Sequence, residues 1–293
     1  MFKSDSAEWI KSIFKVKSSV VLLVLKRSSY FALVGLLVST LYFLKLPVAQ
    51  PILINLIPSV VLALLLVFRT NTSYERFWEA RKLWTTTSTI ITNLTWQIWN
   101  AIDDKTVQDR DKKIKTLYLL SALAIAKKLY LRKDRPNEEL AKWLSVDQYK
   151  KLKNVRNFPL EITNWIAEYL QNKCKEGNLH VNQLTSILHT MQEYQSSLNG
   201  CIRILETPLP SAYSTHLRQL IVVYCLVLPF QFVRELGWFT GVFVWLVSFS
   251  LLGIEEIGSQ LENPFGHNYN YLPLDKICLN IEKNVEEFIH NQS

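Results

Sequence analysis

Glycine is scarce in this chain, with 8 residues among 293, and cysteine is scarcer, with 4. So little glycine excludes collagen and glycine-rich low-complexity sequence, and a hydrophobic fraction of 49% excludes an intrinsically disordered chain. The cysteines form no CxxC pair, and none has a histidine at zinc-finger spacing. They are therefore expected to be reduced thiols packed in the interior: Cys174, Cys201, Cys225 and Cys278.

The sequence also lacks the local motifs of the common enzyme classes. It contains no GxSxG, no GxGxxG, no phosphate-binding Walker loop and no HExxH. His189 and Glu193 are one helical turn apart, and we interpret them as a surface pair in preference to metal ligands. The sequence therefore indicates a protein that is not an enzyme and that uses no cofactor.

What the chain has instead is long stretches without charge. Lys, Arg, Asp and Glu are absent from residues 28–44, 46–68, 219–233 and 236–254. A membrane helix needs about 20 apolar residues to cross roughly 30 Å of hydrocarbon. The third stretch is short, so its span is expected to begin upstream, near Pro210. Four membrane helices are predicted, and the alternative is that one or two stretches are buried helices of a soluble protein.

The basic residues predict the orientation of these spans. Residues 1–27 hold six Lys+Arg against two acids, and residues 69–208 hold 22 Lys+Arg against 15 Asp+Glu. Because segments rich in Lys and Arg stay on the cytoplasmic side of a membrane, both termini and the central segment are expected in the cytoplasm. The spans are expected to lie in the inner membrane of the cell. The basic residues alternate with acids at helical spacing, as on a solvated face, so nucleic-acid binding is not expected.

The pattern between the spans predicts helices throughout, and no strand alternation occurs. No Gly or Pro follows Phe68 until Pro136, so span two is expected to continue as one helix to about Asn100. From Pro51 this helix would be about 75 Å long. The predicted organisation is an N-terminal cytoplasmic segment 1–27, membrane helices 28–70, a helical cytoplasmic domain 71–208, membrane helices 209–257 and a cytoplasmic C-terminal segment 258–293.

Two features of the spans are unusual. Glu255 and Glu256 end span four, and an acid near a membrane is a functional candidate, although simple solvation is the preferred interpretation here. In span two, Val60, Leu64 and Phe68 follow i, i+4, i+8 spacing and therefore share one stripe of the helix. By itself, such a stripe is most often a lipid-facing or helix-packing surface.

Three longer blocks carry a family resemblance. VFRTNTSYERFWEARKLW (67–84), ETPLPSAYSTHLR (206–218) and GIEEIGSQLENPFGHNYNYLPLD (253–275) occur in that order. They resemble the signature segments of the bestrophin family, and the likeness is strongest to its bacterial branch. The resemblance covers the chain from about residue 30 to 285.

The resemblance implies an all-α membrane protein that assembles as a homopentameric ion channel in the lipid bilayer. Each subunit would contribute its second membrane helix to a central pore for small ions. By residue matching, Val60, Leu64 and Phe68 would form the hydrophobic neck of that pore, where narrow apolar rings can gate by dewetting. The second, cytoplasmic constriction would fall at Leu184 or Val181.

One departure from the family concerns calcium. Animal members follow the Asn-Pro-Phe-Gly turn with a run of acids that binds calcium together with the N-terminal backbone. Here the residues after Gly266 are His, Asn, Tyr, Asn and Tyr, and no carboxylate occurs before Asp275. Because calcium prefers several charged oxygen ligands, no high-affinity calcium site is expected.

The resemblance leaves ion selectivity open, since the family includes anion channels and a bacterial cation channel. The basic excess of the central segment favours small monovalent anions such as chloride over a sodium-type cation pathway. Two other classes are alternatives: a secondary transporter, disfavoured because no inverted repeat is present, and a non-conducting membrane scaffold.

Overall fold

The computed structural model describes residues 19–50, 56–267 and 270–292, and every regular element in these ranges is a helix. The helices are α1 Ser19–Phe43, α2 Leu56–Ala101, α3 Val107–Arg132, α4 Glu138–Ala141, α5 Val146–Leu152, α6 Phe158–Lys175, α7 Val181–Glu206, α8 Ser211–Leu236, α9 Thr240–Glu262 and α10 Leu274–Gln292. A 3₁₀ turn, Gly237–Phe239, joins α8 to α9. The predicted all-α fold is confirmed for these residues.

The chain divides into two compact units. The first comprises Met1–Phe77 and Pro208–Asn263, and the second comprises Trp78–Thr207 and Pro264–Ser293. The long helix α2 contributes residues to both units. Most of the predicted N-terminal segment 1–27 lies outside the described ranges, and the assignment of segments to membrane and cytoplasm stays a prediction.

Two helical segments within the described ranges are long and apolar enough to cross a membrane, judged by length and composition alone. They are Val20–Phe43 and Ser211–Glu262, each with a mean hydropathy of 1.8 in its most apolar window. The second segment contains α8 and α9, and its 52 residues are enough for two crossings. α8 begins at Ser211, directly after Pro210, where the sequence placed the start of a helix.

The second uncharged stretch, 46–68, begins with residues that are not helical. Residues 46–50 are not helical, residues 51–55 lie outside the described ranges, and α2 begins at Leu56. The helix was predicted from Pro51, so its first five residues lie outside the described ranges, and its course from Leu56 to Ala101 is described. Pro47 has no amide hydrogen for a helical bond, and the Gln50 amide donates instead to the Phe230 carbonyl at 3.0 Å. The apolar part of α2 up to Phe68 is only about 20 Å long, and the whole helix is about 69 Å long.

In the first unit, α1 and α9 approach each other closely at two glycines. A Cβ atom added at Gly35 would lie 2.8 Å from the Cα of Gly241, and one added at Gly241 would lie 2.8 Å from the Leu36 side chain. Small residues that let two backbones meet in this way are typical of membrane helix pairs. The buried apolar core of the unit is formed by Val20, Val24, Leu62, Leu66, Leu217, Ile221, Cys225 and Leu252.

The second unit is built around α3, which is buried on most of its circumference from Thr116 to Leu131. The amphipathic helices α6, α7 and α10 pack against it. On the other side of α7, a Cβ atom added at Gly200 would lie 2.9 Å from the Leu83 side chain, so α7 lies close against α2 here. The four cysteines are free thiols; Cys201, Cys225 and Cys278 are buried and Cys174 is half-buried.

A lysine lies at the centre of this core. The Lys127 side chain is fully buried, and its ammonium donates hydrogen bonds to the hydroxyl oxygens of Thr87 at 2.6 Å and Ser197 at 3.0 Å. The rings of Trp84 and Tyr194 lie 5.2 Å and 5.7 Å from it. No carboxylate of the described residues forms an ion pair with it. Burial without a counter-charge lowers the pKa of Lys127 to about 8.

We expect the stability contribution of Lys127 to depend on pH. The unfolded lysine titrates near pH 10.4, so the folded state holds a disfavoured charge below about pH 8, and stability rises as the pH increases from about 8 to 10.5. Lys127→Met should therefore stabilise the protein at pH 7 by up to about 3 kcal/mol, reduced by the free energy that the two lost hydrogen bonds contribute. Thermal unfolding midpoints at pH 7 to 10.5 test this. The advantage of the variant should shrink with pH, and a constant difference would contradict the expectation.

Candidate pore helix and its supports

The first part of α2 has one buried and one exposed side. Leu62 and Leu66 are 4% and 3% exposed and belong to the core of the first unit. The candidate neck residues lie away from that core: Val60 is 59%, Leu64 53% and Phe68 57% exposed. The stripe is therefore not part of the buried core of the first unit. Contact with lipid and packing against another subunit stay alternatives to a pore. What the stripe faces in the assembled protein stays a prediction.

The exposed apolar surface of α2 is wider than the stripe itself. Val61 and Val67 flank it and are also exposed, and the surface becomes polar at Asn71, whose amide donates to the Glu75 carboxylate at 3.1 Å. The exposed apolar surface that contains the stripe therefore ends about one turn after Phe68.

The polar residue that follows Phe68 is buried. Arg69 is 1% exposed, and its guanidinium donates to the Glu255 carboxylate of α9 at 2.7 Å. Arg218 of α8 donates to the same carboxylate oxygen at 2.7 Å and to the Ser259 hydroxyl at 3.3 Å. Charge-assisted hydrogen bonds of this kind are strong and directional. One carboxylate therefore joins three helices directly beside the candidate neck.

A second carboxylate of α9 extends this arrangement. Glu262 lies 3.8 Å from the Arg69 guanidinium and accepts a hydrogen bond from the Leu209 amide at 2.9 Å. We call Arg69, Arg218, Glu255 and Glu262 the arginine–glutamate cluster.

The preferred sequence interpretation of Glu255 as a solvated acid is wrong, because Glu255 is 2% exposed and binds two arginines. Glu256 lies nearer the surface and pairs with Arg27 at 3.0 Å. The sequence feature that could have indicated the burial of Glu255 is the arginine that directly follows the apolar stripe. An arginine on a packed side of a helix needs a buried partner.

The two candidates for the cytoplasmic constriction lie in the first turn of α7. Val181 is the first residue of that helix and is 61% exposed, whereas Leu184 is half-buried. The Asn182 amide donates to the His180 side chain at 3.2 Å, which caps the helix at this point. Of the two, Val181 offers the larger free apolar surface, and the role of both residues stays a prediction.

The segment after the Asn-Pro-Phe-Gly turn is folded back on itself. A Cβ atom at Gly266 would collide with the Tyr271 ring, and the Leu272 amide donates to the Pro264 carbonyl at 3.0 Å. Phe265 is buried. Residues 268–269, which belong to the stretch without carboxylates, lie outside the described ranges.

The first carboxylate after this turn already has two cationic partners. Asp275 accepts hydrogen bonds from Lys128 at 2.9 Å and from Arg132 at 2.9 Å and 2.8 Å. Arg132 and Lys128 hold the pKa of Asp275 far below its usual range. A cation at this position would have to displace both partners. Across the part of the chain that the structure describes, no three His, Cys, Asp or Glu side chains are grouped as metal ligands.

Three comparisons with known proteins gave results that agree with one another. The family model described as bacterial and fungal bestrophin protein matches residues 1–287. A Nostoc sp. protein named voltage-dependent anion channel-forming protein is 49% identical over 279 residues, which is 95% of this chain and 91% of that protein. A Synechocystis sp. protein of the same name is 48% identical over 239 residues, 82% of this chain and 78% of that protein. The crystal structure of a bacterial bestrophin homolog from Klebsiella pneumoniae superposes with a TM-score of 0.79 at 24% identity, covering 92% of this chain and 98% of that one.

Proposed function

Because the chain belongs to the bacterial and fungal bestrophin family, we propose that it is a membrane channel for small monovalent anions such as chloride. The observation that carries this proposal is its likeness, over 95% of its length, to a relative named for anion-channel formation. The basic excess of residues 69–208 supports the same sign, because it raises the local concentration of anions. A monovalent-cation channel of the same architecture is the second candidate.

We propose that the pore lies on the axis of a homopentamer and is lined by α2. One helix cannot enclose a conduit, whereas identical subunits around an axis turn a stripe of three side chains into three stacked rings. The exposure of Val60, Leu64 and Phe68 supports this arrangement, since their side chains are free to line a pore. An ion crossing such rings loses water that the apolar wall cannot replace, and this is the barrier of the neck.

The assembly is expected to be a closed ring of five chains. In detergent, light scattering should report a protein mass close to five copies of the 34.1 kDa chain. A stable monomer or dimer would contradict the pore formed by α2.

For cellular location, we propose the inner membrane, with the termini and the second unit in the cytoplasm. The basic N-terminal segment and the basic residues 69–208 support this orientation. Cysteine labelling from one side of sealed vesicles, at single cysteines introduced near each terminus, distinguishes this orientation from its inverse.

Removal of calcium is expected to leave anion flux unchanged. The turn segment offers no carboxylate before Asp275, and Asp275 is neutralised by Lys128 and Arg132. Chloride efflux from liposomes should therefore be equal in EGTA and in micromolar calcium, and calcium should not shift the thermal midpoint. Loss of flux in EGTA, or a site of submicromolar affinity, would show that ligands come from elsewhere.

A further inference from the structure

The buried charge of Lys127 is not explained by the folding of the second unit. Its ammonium donates to the neutral hydroxyls of Thr87 at 2.6 Å and Ser197 at 3.0 Å. A well-packed apolar side chain at such a position is often as stable as a buried charge or more stable. Residues that break a local rule of folding in this way are expected at functional sites.

The ionisable side chains around this ammonium are neutral at pH 7. They come from α7 and α10: Tyr194, Cys201 and Cys278. Burial raises the pKa of all three, to about 12 for Cys278, so they stay protonated. On the side of α2, Thr87 and the Trp84 ring lie against the ammonium, and neither side chain ionises.

The carboxylates in this part of the unit have other cationic partners. Glu79 of α2 is exposed and binds the Arg203 guanidinium at 2.8 Å. Glu139 and Asp275 bind the Lys128 ammonium at 2.6 Å and 2.9 Å. The charge of the buried ammonium is therefore uncompensated among the described residues. Salt screens a buried charge less than it screens a charge on the surface.

This charge lies directly behind the exposed surface of α2. The ammonium contacts Thr87, and residues two positions before and after it lie about 160° around the helix. These residues, Thr85 and Thr89, are exposed. A helix with its side chains is about 10–12 Å in diameter, close to the Debye length of about 10 Å at 0.1 M salt. The field of the ammonium therefore reaches the exposed surface of α2.

That part of α2 has no charge of its own. Residues 83–102 contain no Lys, Arg, Asp or Glu. The exposed polar groups there include the hydroxyls of Thr85 and Thr89 and the amide of Asn93, which can each donate and accept hydrogen bonds. Such a surface does not distinguish anions from cations by charge, so the buried ammonium determines the sign of the potential at this surface.

We propose that Lys127 is a selectivity-determining residue whose buried charge favours anions over cations along this part of α2. The inference rests on the proposed pore lined by α2. In a homopentamer, five such charges surround one axis and their fields add. Because the ammonium does not touch the permeating ion, it attracts anions without binding them tightly, as conduction requires.

The ratio of chloride to potassium permeability tests this role. It is obtained from reversal potentials of the full-length protein in bilayers of neutral lipid under a potassium chloride gradient. At pH 7, K127M should lower the ratio by at least about threefold. The control K276Q removes the same charge from an exposed position of α10, where solvent screens it, and should keep the wild-type ratio.

A pH change in the wild type gives a second measurement that needs no substitution. At pH 9.5, Lys127 is mostly discharged because its pKa is about 8, whereas exposed lysines titrate near 10.4 and stay mostly charged. The wild type at pH 9.5 should therefore approach the ratio of K127M at pH 7, and K127M itself should change little between these pH values.

The outcomes separate this role from the channel function. An anion current with the same ratio in the wild type and K127M would overturn the role of Lys127 alone. An equal fall in K127M and K276Q would overturn it in favour of a general effect of net charge. A wild-type current that reverses close to the potassium potential would contradict the proposed anion channel as well.

Discussion

Replacing Val60, Leu64 and Phe68 together by alanine is expected to raise conductance or open probability by roughly tenfold or more. The expected barrier at the neck is the loss of ion hydration between apolar rings, and a reduction of about 1.4 kcal/mol already gives a tenfold rate. Alanine widens the bore and admits water. Leu64→Ala alone should give part of the effect. Single-channel recording of the purified protein in planar bilayers measures both quantities.

The controls come from the same helix. Val61 is exposed but lies about 60° around α2 from Leu64, and Leu65 is half-buried. Val61→Ala and Leu65→Ala should leave conductance near the wild-type value. If these variants opened the channel as much as the stripe variant, the stripe would be misassigned.

Stability separates the neck from a packing surface. The three neck side chains are more than half exposed in the chain, whereas Leu62 is buried, and truncation of a buried leucine costs about 2–5 kcal/mol. Leu62→Ala should therefore lower the thermal midpoint more than Leu64→Ala does. Unaltered flux in the stripe variant, combined with loss of the oligomer, would favour a helix-packing role.

Glu255→Gln is expected to be one of the most destabilising single substitutions in the chain. It removes the charge that compensates Arg69 and Arg218, and Arg69 is 1% exposed. Breaking a buried ion pair by removing one partner costs about 3–5 kcal/mol because the other charge stays buried. At this chain length the thermal midpoint should fall by roughly 6–20 °C. Fluorescence-detected unfolding in detergent measures the shift.

Glu256→Gln is the matched control for this substitution. The residues are adjacent on α9, but Glu256 pairs with Arg27, whose side chain is 49% exposed, and surface pairs contribute about 0–1 kcal/mol. A second variant, R69L/E255L, replaces the buried pair with apolar side chains and should recover part of the lost stability. Equal midpoints for Glu255→Gln and Glu256→Gln would contradict the structural role of the arginine–glutamate cluster.

Helix boundaries could be predicted where glycine or proline residues interrupt the helical pattern. Gly177 and the Thr-Pro-Leu-Pro segment 207–210 are sequence signals that bracket a helix, and α7 occupies residues 181–206 between them. The uncharged stretch 46–68 did not by itself indicate that residues 46–50 are not helical. Hydropathy is insensitive to the missing amide hydrogen of Pro47, which decides the backbone there.

The candidate site was predictable to a lesser extent. Spacing alone placed Val60, Leu64 and Phe68 on one stripe, but only the structure shows that the stripe is exposed while Leu62 and Leu66 are buried. The partnership of Arg69 with Glu255 joins residues that are 186 positions apart, so no local pattern contains it.

The burial of Lys127 could not be predicted from the sequence. Its sequence context, two adjacent lysines, is typical of a solvated turn, yet both side chains are buried. Lys128 reaches the carboxylates of Glu139 and Asp275, whereas Lys127 forms no ion pair with a carboxylate of the described residues and donates to the hydroxyls of Thr87 and Ser197. The pattern of charges cannot distinguish these two outcomes, because each depends on which distant residues pack against α3.

A reversal-potential measurement under a chloride salt gradient tests the central claim, anion conduction by this protein, most directly. Purified protein in a planar bilayer is exposed to a tenfold gradient of potassium chloride, for which each ion has an equilibrium potential of about 59 mV and opposite sign. The expected current reverses close to the chloride equilibrium potential and increases in the V60A/L64A/F68A variant. Reversal close to the potassium potential would make the protein a cation channel, and the absence of current in both proteins would contradict the channel itself.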